Sequence, residues 1–114
     1  MSYDQLVPLI EISALPQPSG ARERVMDALV GEVSSALGRP PNAVWVTWRQ
    51  IEPGAYSVGG TRAEAQPRDS HPPIVRIYAR RTPEEWELIV VAVERVITRE
   101  LGLDPFLIVE KAEL

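Results

Sequence analysis

Short apolar runs alternate along this chain with longer segments of helical periodicity. Residues 6–12 form an apolar run of strand length, and the breaker cluster at residues 16–20 ends it. Across residues 21–37 apolar side chains recur every three or four positions, which predicts an amphipathic helix. Ser19 is the predicted N-cap of this helix and Gly38 its C-terminal stop. The chain therefore opens with a strand followed by a helix.

The middle of the chain predicts a second strand, a turn and a polar loop. Residues 43–48 are rich in β-branched and aromatic side chains, and their alternation places Trp45 and Trp48 on opposite faces of a strand. Residues 52–60 predict a turn or a short hairpin, because they contain Pro and three glycines. The polar loop that follows contains His71, which we expect to be exposed to solvent.

The same order of elements then repeats. Pro73 opens an apolar run that mirrors the run after Pro8, 65 residues earlier. Thr82-Pro83-Glu84-Glu85 is a strong helix start, with threonine as N-cap and proline at the first helical position. The Leu-Gly pair that ends this second helix follows the first such pair by 64 residues, and residues 106–109 predict a closing strand. These near-constant offsets indicate an internal duplication.

The repeat predicts the fold class and its boundaries. We expect an α/β (α+β) fold of two tandem β-α-β units, with parallel strands in each unit and both helices on one face of a four-stranded sheet. Residues 1–7 are an N-terminal extension, and residues 8–114 form a single domain. Within it, residues 8–60 are the first unit, 61–72 a linker and 73–114 the second unit.

The predicted sheet has one face without a cover. Trp45 and Tyr78 fall on this face, where they would be exposed in a monomer. Large exposed apolar surfaces mark interaction sites, and most soluble oligomers are symmetric homo-oligomers. We therefore expect an oligomer whose sheets pack against one another.

Composition narrows the classes of function. The chain has 114 residues and a formal net charge of −4, which gives no overall attraction to nucleic acid or to an anionic membrane. It contains no cysteine and one histidine, which excludes disulfides, thiolate catalysis and multi-histidine metal sites. No apolar run spans a bilayer and no signal peptide is evident, so a cytoplasmic protein is the simplest expectation.

Residues 8–12, the first helix, residues 44–47 and the glycine-rich turn at 54–60 together resemble the tautomerase superfamily. The resemblance is to 4-oxalocrotonate tautomerase and to relatives with two fused units, such as malonate semialdehyde decarboxylase, the cis-3-chloroacrylic acid dehalogenase and macrophage migration inhibitory factor. It implies a homotrimer without a cofactor, acting on a small keto-enol or unsaturated carboxylic acid.

The resemblance gives Pro8 the part of the family's catalytic proline. In that family an N-terminal proline shuttles a proton through its secondary amine, and an apolar pocket lowers the pKa of this amine toward neutral pH. Here seven residues precede Pro8, so its nitrogen belongs to a tertiary amide and is not basic. The chemistry requires that processing, or initiation at Val7 followed by removal of the first residue, exposes Pro8.

The remaining site residues also come from the resemblance. Arg81, with Arg80 beside it, matches an arginine that binds the substrate carboxylate, and Tyr78 falls near the second arginine of that pair. Trp45 takes the place of an arginine in the second strand, which counts against a diacid substrate bound in the usual way. Tyr56 matches an aromatic residue that lines the pocket.

Two other interpretations fit the same sequence. A non-catalytic superfamily member would keep the fold and bind a small ligand or act as a structural subunit; the extension before Pro8 and the tryptophan at position 45 favour this reading. A ferredoxin-like regulatory domain shares the order of strands and helices but interleaves antiparallel strands in its sheet.

Overall fold

The computed structural model describes residues 8–111. Within these residues six strands and two α-helices follow one another, and a short 3₁₀ turn at Pro41–Ala43 precedes the second strand. The strands are β1 (Leu9–Ala14), β2 (Trp45–Gln50), β3 (Ser57–Val58), β4 (Thr61–Arg62), β5 (Ile74–Ala79) and β6 (Phe106–Lys111); the helices are α1 (Ala21–Leu37) and α2 (Pro83–Leu101).

The main sheet has four strands in the order β2-β1-β5-β6. Strands β1 and β2 pair in parallel, as do β5 and β6, and the two units meet through the antiparallel pair of β1 and β5. The predicted α+β fold with two β-α-β units is confirmed. Because the two strands of each unit are direct parallel neighbours, the ferredoxin-like interpretation is wrong.

Both helices pack on one face of this sheet and form a single core with it. Alternate residues of β1 and β5 are buried there, since successive side chains of a strand point to opposite faces. Ile10, Ile12, Val75 and Ile77 contribute from the strands, and Trp86 contributes from α2 with only 3% of its surface exposed. The face of the sheet turned away from the helices, called the open face below, carries the other set of strand residues.

The two helices begin differently. At the start of α2, Thr82 Oγ1 accepts a hydrogen bond from Glu85 N at 3.2 Å, and Glu85 Oε1 accepts one from Thr82 N at 3.4 Å, which completes the predicted capping box. The N-cap of α1 is Gly20, with φ of 83° and no side-chain cap. The predicted Ser19 cap is therefore wrong, because the left-handed turn at the glycine places the helix start one residue later.

The segment between the two units is more ordered than its polar composition predicts. Strands β3 and β4 form a small hairpin, so the predicted linker at residues 61–72 begins within a strand. His71 is buried, with 3% of its surface exposed, and its φ of 56° lies in the left-handed region. The expectation that His71 is solvent-exposed is wrong, because the hairpin and the loop close over its ring.

Candidate functional site

Pro8 lies at one end of the sheet, where β1 and β2 begin and β5 and β6 end; this region is called the Pro8 end below. Pro8 is buried, and its carbonyl oxygen accepts a hydrogen bond of 3.0 Å from Trp45 N. The duplicated unit repeats this contact, since the carbonyl of Pro73 accepts a hydrogen bond of 2.9 Å from Phe106 N. Each strand-opening proline thus anchors the start of the neighbouring parallel strand.

One row of side chains crosses the open face next to Pro8. The strand register places Trp45, Leu9, Tyr78 and Glu110 side by side on β2, β1, β5 and β6. Trp45 is 42% exposed, and its indole Nε1 donates a hydrogen bond of 3.3 Å to the carbonyl of Asn42. Asn42 lies in the 3₁₀ turn before β2, so this bond holds the indole toward the Pro8 end.

Two arginines follow β5 at the same end of the sheet. Arg80 and Arg81 are the residues between the last residue of β5 and Thr82, and both are half-buried. The capping box at Thr82 fixes the chain directly after them. The strand register therefore places Pro8, Trp45, Tyr78, Arg80 and Arg81, all predicted from the sequence, at the same end of the sheet.

Charged side chains lie next to this row, toward the middle of the open face. Arg76 Nε is buried and lies 3.5 Å from Glu110 Oε1, forming an ion pair without hydrogen-bond geometry at that nitrogen. Hydrogen bonding with Tyr78, followed by the charges of Tyr78, Glu110 and Glu11, raises the pKa of the Arg76 guanidinium. The carboxylate of Glu110 is thus paired with a guanidinium that is protonated throughout the physiological pH range.

Tyr56 lies at the opposite end of the sheet from Pro8. Its hydroxyl donates a hydrogen bond of 2.8 Å to the carbonyl of Pro72, just before β5 begins. Six-residue strands span roughly 20 Å, so Tyr56 and Pro8 are not neighbours within one chain. A pocket role for Tyr56 remains a prediction that would require a second subunit.

The ring of His71 fills the space beside Tyr56. The two rings meet edge to face, with 5.0 Å between their centroids. His71 Nε2 lies 2.9 Å from the carbonyl of Thr61, which can only accept, so Nε2 carries a proton. In the neutral ring Nδ1 then accepts a hydrogen bond from Ser70 Oγ at 2.9 Å. These contacts join the hairpin to the linker.

The sequence analysis did not include Leu9 in the site. It also did not predict that Glu110 lies beside Tyr78 and pairs with Arg76. Leu9 is half-buried between Trp45 and Tyr78, and the alternation of residues in β1 was a signal that it shares their face. The register of Glu110 with Tyr78 had no such signal, because it depends on how β5 and β6 align.

Among residues 8–111, no three His, Asp or Glu side chains lie close enough together to hold a metal ion. Within the same residues, neither helix is long and apolar enough to cross a membrane.

The fold is shared with several solved structures. Pt0534, solved after inactivation by 2-oxo-3-pentynoate, superposes with a TM-score of 0.74 at 14% identity, over 92% of this chain and 85% of the other. The Q0 fused 4-OT, a symmetric trimer, gives 0.70 at 17% identity over 92% and 85%. Malonate semialdehyde decarboxylase gives 0.64 at 21% identity over 93% and 84%.

This chain therefore shares its fold with fused 4-OT and malonate semialdehyde decarboxylase, as the sequence resemblance implied. No protein-family model matches the sequence, and no curated protein matches it significantly. At these identities the likeness concerns the fold.

Proposed function

We propose that this chain binds small keto-enol or unsaturated carboxylic acids at the Pro8 end of its sheet. One observation carries the proposal, namely the set of residues that share one end of the sheet with the buried Pro8. The carbonyl of Pro8 accepts a hydrogen bond from Trp45 N, and the row with Leu9 and Tyr78 lies beside it. The arginines after β5 lie at the same end. An arginine binds a carboxylate through paired hydrogen bonds, and the row supplies apolar surface for the rest of the molecule. The shared fold with fused tautomerases supports this assignment.

Catalysis in this proposal belongs to a form of the protein that begins at Pro8. Its nitrogen would then be a secondary amine, and burial would lower the pKa of that amine by disfavouring the charged form. Arg81, assisted by Arg80, would hold the substrate carboxylate. The proline nitrogen would remove a proton from the carbon or oxygen of the keto-enol group and return it at the other position. In the printed sequence the amide bond from Val7 occupies this nitrogen.

The test compares a chain that begins at Pro8, after removal of the initiator methionine, with the full sequence. Tautomerisation of phenylenolpyruvate, followed by its ultraviolet absorbance, is expected from the shorter chain and not from the full one. Matching far-ultraviolet circular dichroism and thermal unfolding would show that both chains are folded. A folded chain with a free Pro8 and no turnover contradicts the catalytic proposal. Intact-mass analysis of protein from the native host would identify the natural start.

A second candidate is a ligand-binding protein without catalysis. Two features favour this candidate. The nitrogen of Pro8 is part of an amide and cannot act as a base, and Trp45 stands where the resembled enzymes have an arginine. This candidate predicts that the full chain binds a small carboxylic acid without converting it. Native protein that starts at Pro8 and tautomerises phenylenolpyruvate would exclude it.

We also propose that the open face forms the interface of a homotrimer. It carries two large side chains that are exposed in the single chain, Trp45 at 42% and Phe106 at 58%, at opposite corners of the sheet. The Q0 fused 4-OT, which has the same fold, is a symmetric trimer. Light scattering is expected to give three times the chain mass, and a monomeric mass at micromolar concentration would contradict the assembly. A cytoplasmic location also stays a prediction.

A further inference from the structure

A cleft lies between the first half of α2 and the end of β6, and it is called the α2 cleft below. Its volume is about 250 Å³, and the residues that line it are Pro83, Trp86, Glu87, Val90, Val91 and Lys111. The five residues from α2 recur at intervals of three or four, so they share one side of the helix. At about 30 Å³ for each water, the cleft has room for roughly eight water-sized groups. It shares no residue with the set proposed at the Pro8 end.

The most buried residue of the α2 cleft carries a hydrogen-bond donor without a partner. Trp86 is 3% exposed, and its Nε1 makes no hydrogen bond within residues 8–111. A buried indole N–H usually has an acceptor, because leaving it unsatisfied costs free energy. The side chain of Lys111 lies over this ring, with its ammonium 5.7 Å from the ring centre. Trp86 and Lys111 therefore offer a donor and a positive charge to the same small space.

The rim of the α2 cleft carries two opposite charges. Glu87 and Lys111 are both exposed, and among residues 8–111 neither takes part in an ion pair. The other lining residues are apolar, and one of them, Val91, is 46% exposed. Small-molecule sites combine apolar walls with a few polar groups that fix the orientation of the ligand. A complementary ligand therefore carries an anion, a cation and an apolar group within a short distance.

We infer that the α2 cleft binds a free aliphatic α-amino acid. The carboxylate pairs with Lys111 and, once this flexible side chain moves aside, accepts a hydrogen bond from Trp86 Nε1. The ammonium pairs with Glu87, and the branched side chain packs against Val90 and Val91. A carboxylic acid without the amine would meet the negative charge of Glu87 uncompensated. This site is separate from the one proposed at the Pro8 end, and no step of the proposed activity uses it.

Nuclear magnetic resonance of the indole N–H groups tests the site directly. The chain has three tryptophans, so ¹⁵N-labelled protein gives three indole signals. Titration of the full chain with L-leucine at neutral pH is expected to shift the Trp86 signal in a saturable manner, because its hydrogen gains an acceptor. The absence of such a shift at millimolar concentration would overturn the inference. A shift of the Trp45 signal alone would place leucine at the Pro8 end and would overturn it as well.

Two analogues of leucine separate its two charges. Isocaproate lacks the amine and isoamylamine lacks the carboxylate, while both keep the branched carbon chain. Each is expected to bind about two- to fivefold more weakly than leucine, as the loss of one exposed ion pair implies. Equal affinity of either analogue, followed through the Trp86 signal, would overturn the assignment to an amino acid.

Variants connect the binding to its residues. Trp86→Phe keeps an aromatic ring without the N–H and is expected to weaken leucine binding about tenfold in calorimetry, with circular dichroism as the check on folding. Glu87→Gln should weaken leucine about two- to fivefold and leave isocaproate no weaker. Glu94→Gln is the matched control, because it removes an exposed carboxylate of the same helix outside the cleft. Equal effects of the two glutamate variants would overturn the assigned site.

Two other occupants of the cleft are distinguished by the same titration. Leucine binding that appears only after removal of residues 112–114 would assign the cleft to that segment of the chain. Leucine binding that is lost as the protein concentration rises would assign it to a second copy. Either result would overturn the inference, and neither would change the turnover expected from a chain that begins at Pro8.

Discussion

The two units of this protein place the same backbone contact in two different chemical settings. Pro8 and Pro73 are both buried, and each accepts a hydrogen bond from the first residue of the neighbouring parallel strand. Around Pro8 stand Trp45 and the arginines after β5, whereas the loop that reaches Pro73 is packed by Tyr56 and His71. The duplication thus supplies the same backbone frame twice, and side chains that differ between the two units, together with His71 of the linker, decide the chemistry of each end.

The largest effect is expected for Pro8→Ala in a chain that begins at Pro8, compared with Pro73→Ala in the same chain. Pro8→Ala replaces the secondary amine by a primary amine that sits differently against the row, and turnover of phenylenolpyruvate should fall by about 10² to 10⁴-fold, the usual contribution of a positioned acid-base group. Pro73→Ala is the matched control, because Pro73 follows Pro72 in the chain and can only act through structure. Its turnover should stay within about twofold of the parent.

Steady-state kinetics measures both variants, with circular dichroism as the check on folding. Equal loss of activity in the two variants would mean that the prolines act through the fold alone. That result would contradict the catalytic role proposed for Pro8.

A second variant should disturb the Pro73 end and spare the Pro8 end. His71→Ala removes both hydrogen bonds of the ring, leaves the carbonyl of Thr61 without its partner and puts alanine at a φ of 56°. The free energy of unfolding should fall by roughly 2 to 4 kcal/mol, because both hydrogen bonds of a buried ring and its contact with Tyr56 are lost together. Urea denaturation measures this change.

Asparagine at the same position is the control for this variant. His71→Asn tolerates the left-handed backbone and can hydrogen-bond locally, so it should recover part of the stability. Binding of sorbate, a small unsaturated carboxylic acid of the class proposed for the Pro8 end, should stay as in the natural chain in the folded fraction. A selective loss of sorbate affinity would show that the two ends are coupled.

The helix starts offer a smaller test of the same contrast. Thr82→Ala breaks the capping box that fixes the chain after Arg81, and it should cost about 1 kcal/mol of stability and weaken sorbate binding a few-fold. Ser19→Ala should change stability by less than about 0.5 kcal/mol, because the N-cap of α1 is Gly20 and no side chain caps this helix. Thermal unfolding compares the two variants, and equal losses would contradict the assigned caps.

The repeat units were predictable from the sequence because their signals are local. Strand alternation, helical periodicity and the Thr82 capping box depend on neighbours within one turn or one strand, and all appear in the structure. His71 was misplaced because its burial depends on a hairpin and a loop closing together, which no local pattern records. Trp45 and Tyr78 were placed on one face correctly, yet the partners of Glu110 and the position of Leu9 between the two aromatics emerge only from the register of four strands.

The loss of one oxygen atom from Tyr56 tests whether the Pro73 end is structural. Tyr56→Phe removes the hydrogen bond to the carbonyl of Pro72 and keeps the ring against His71, so stability should fall by about 1 kcal/mol. Burial raises the pKa of the Tyr56 phenol above its ordinary value of about 10. The folded state therefore holds this proton more tightly than the unfolded state. The resulting stability is fully present below about pH 10 and is lost as the pH rises through the folded pKa.

Urea denaturation between pH 8 and pH 11 should show this alkaline loss in the natural chain and a smaller one in Tyr56→Phe. Tyr78→Phe is the matched control, because it removes a phenol at the Pro8 end and leaves the bond to Pro72 intact. If Tyr56→Phe lowered sorbate affinity while Tyr78→Phe did not, the hairpin of one subunit would have to reach the Pro8 end of another. The separation between a binding end at Pro8 and a structural end at Pro73 would then hold for the single chain but not for the assembly.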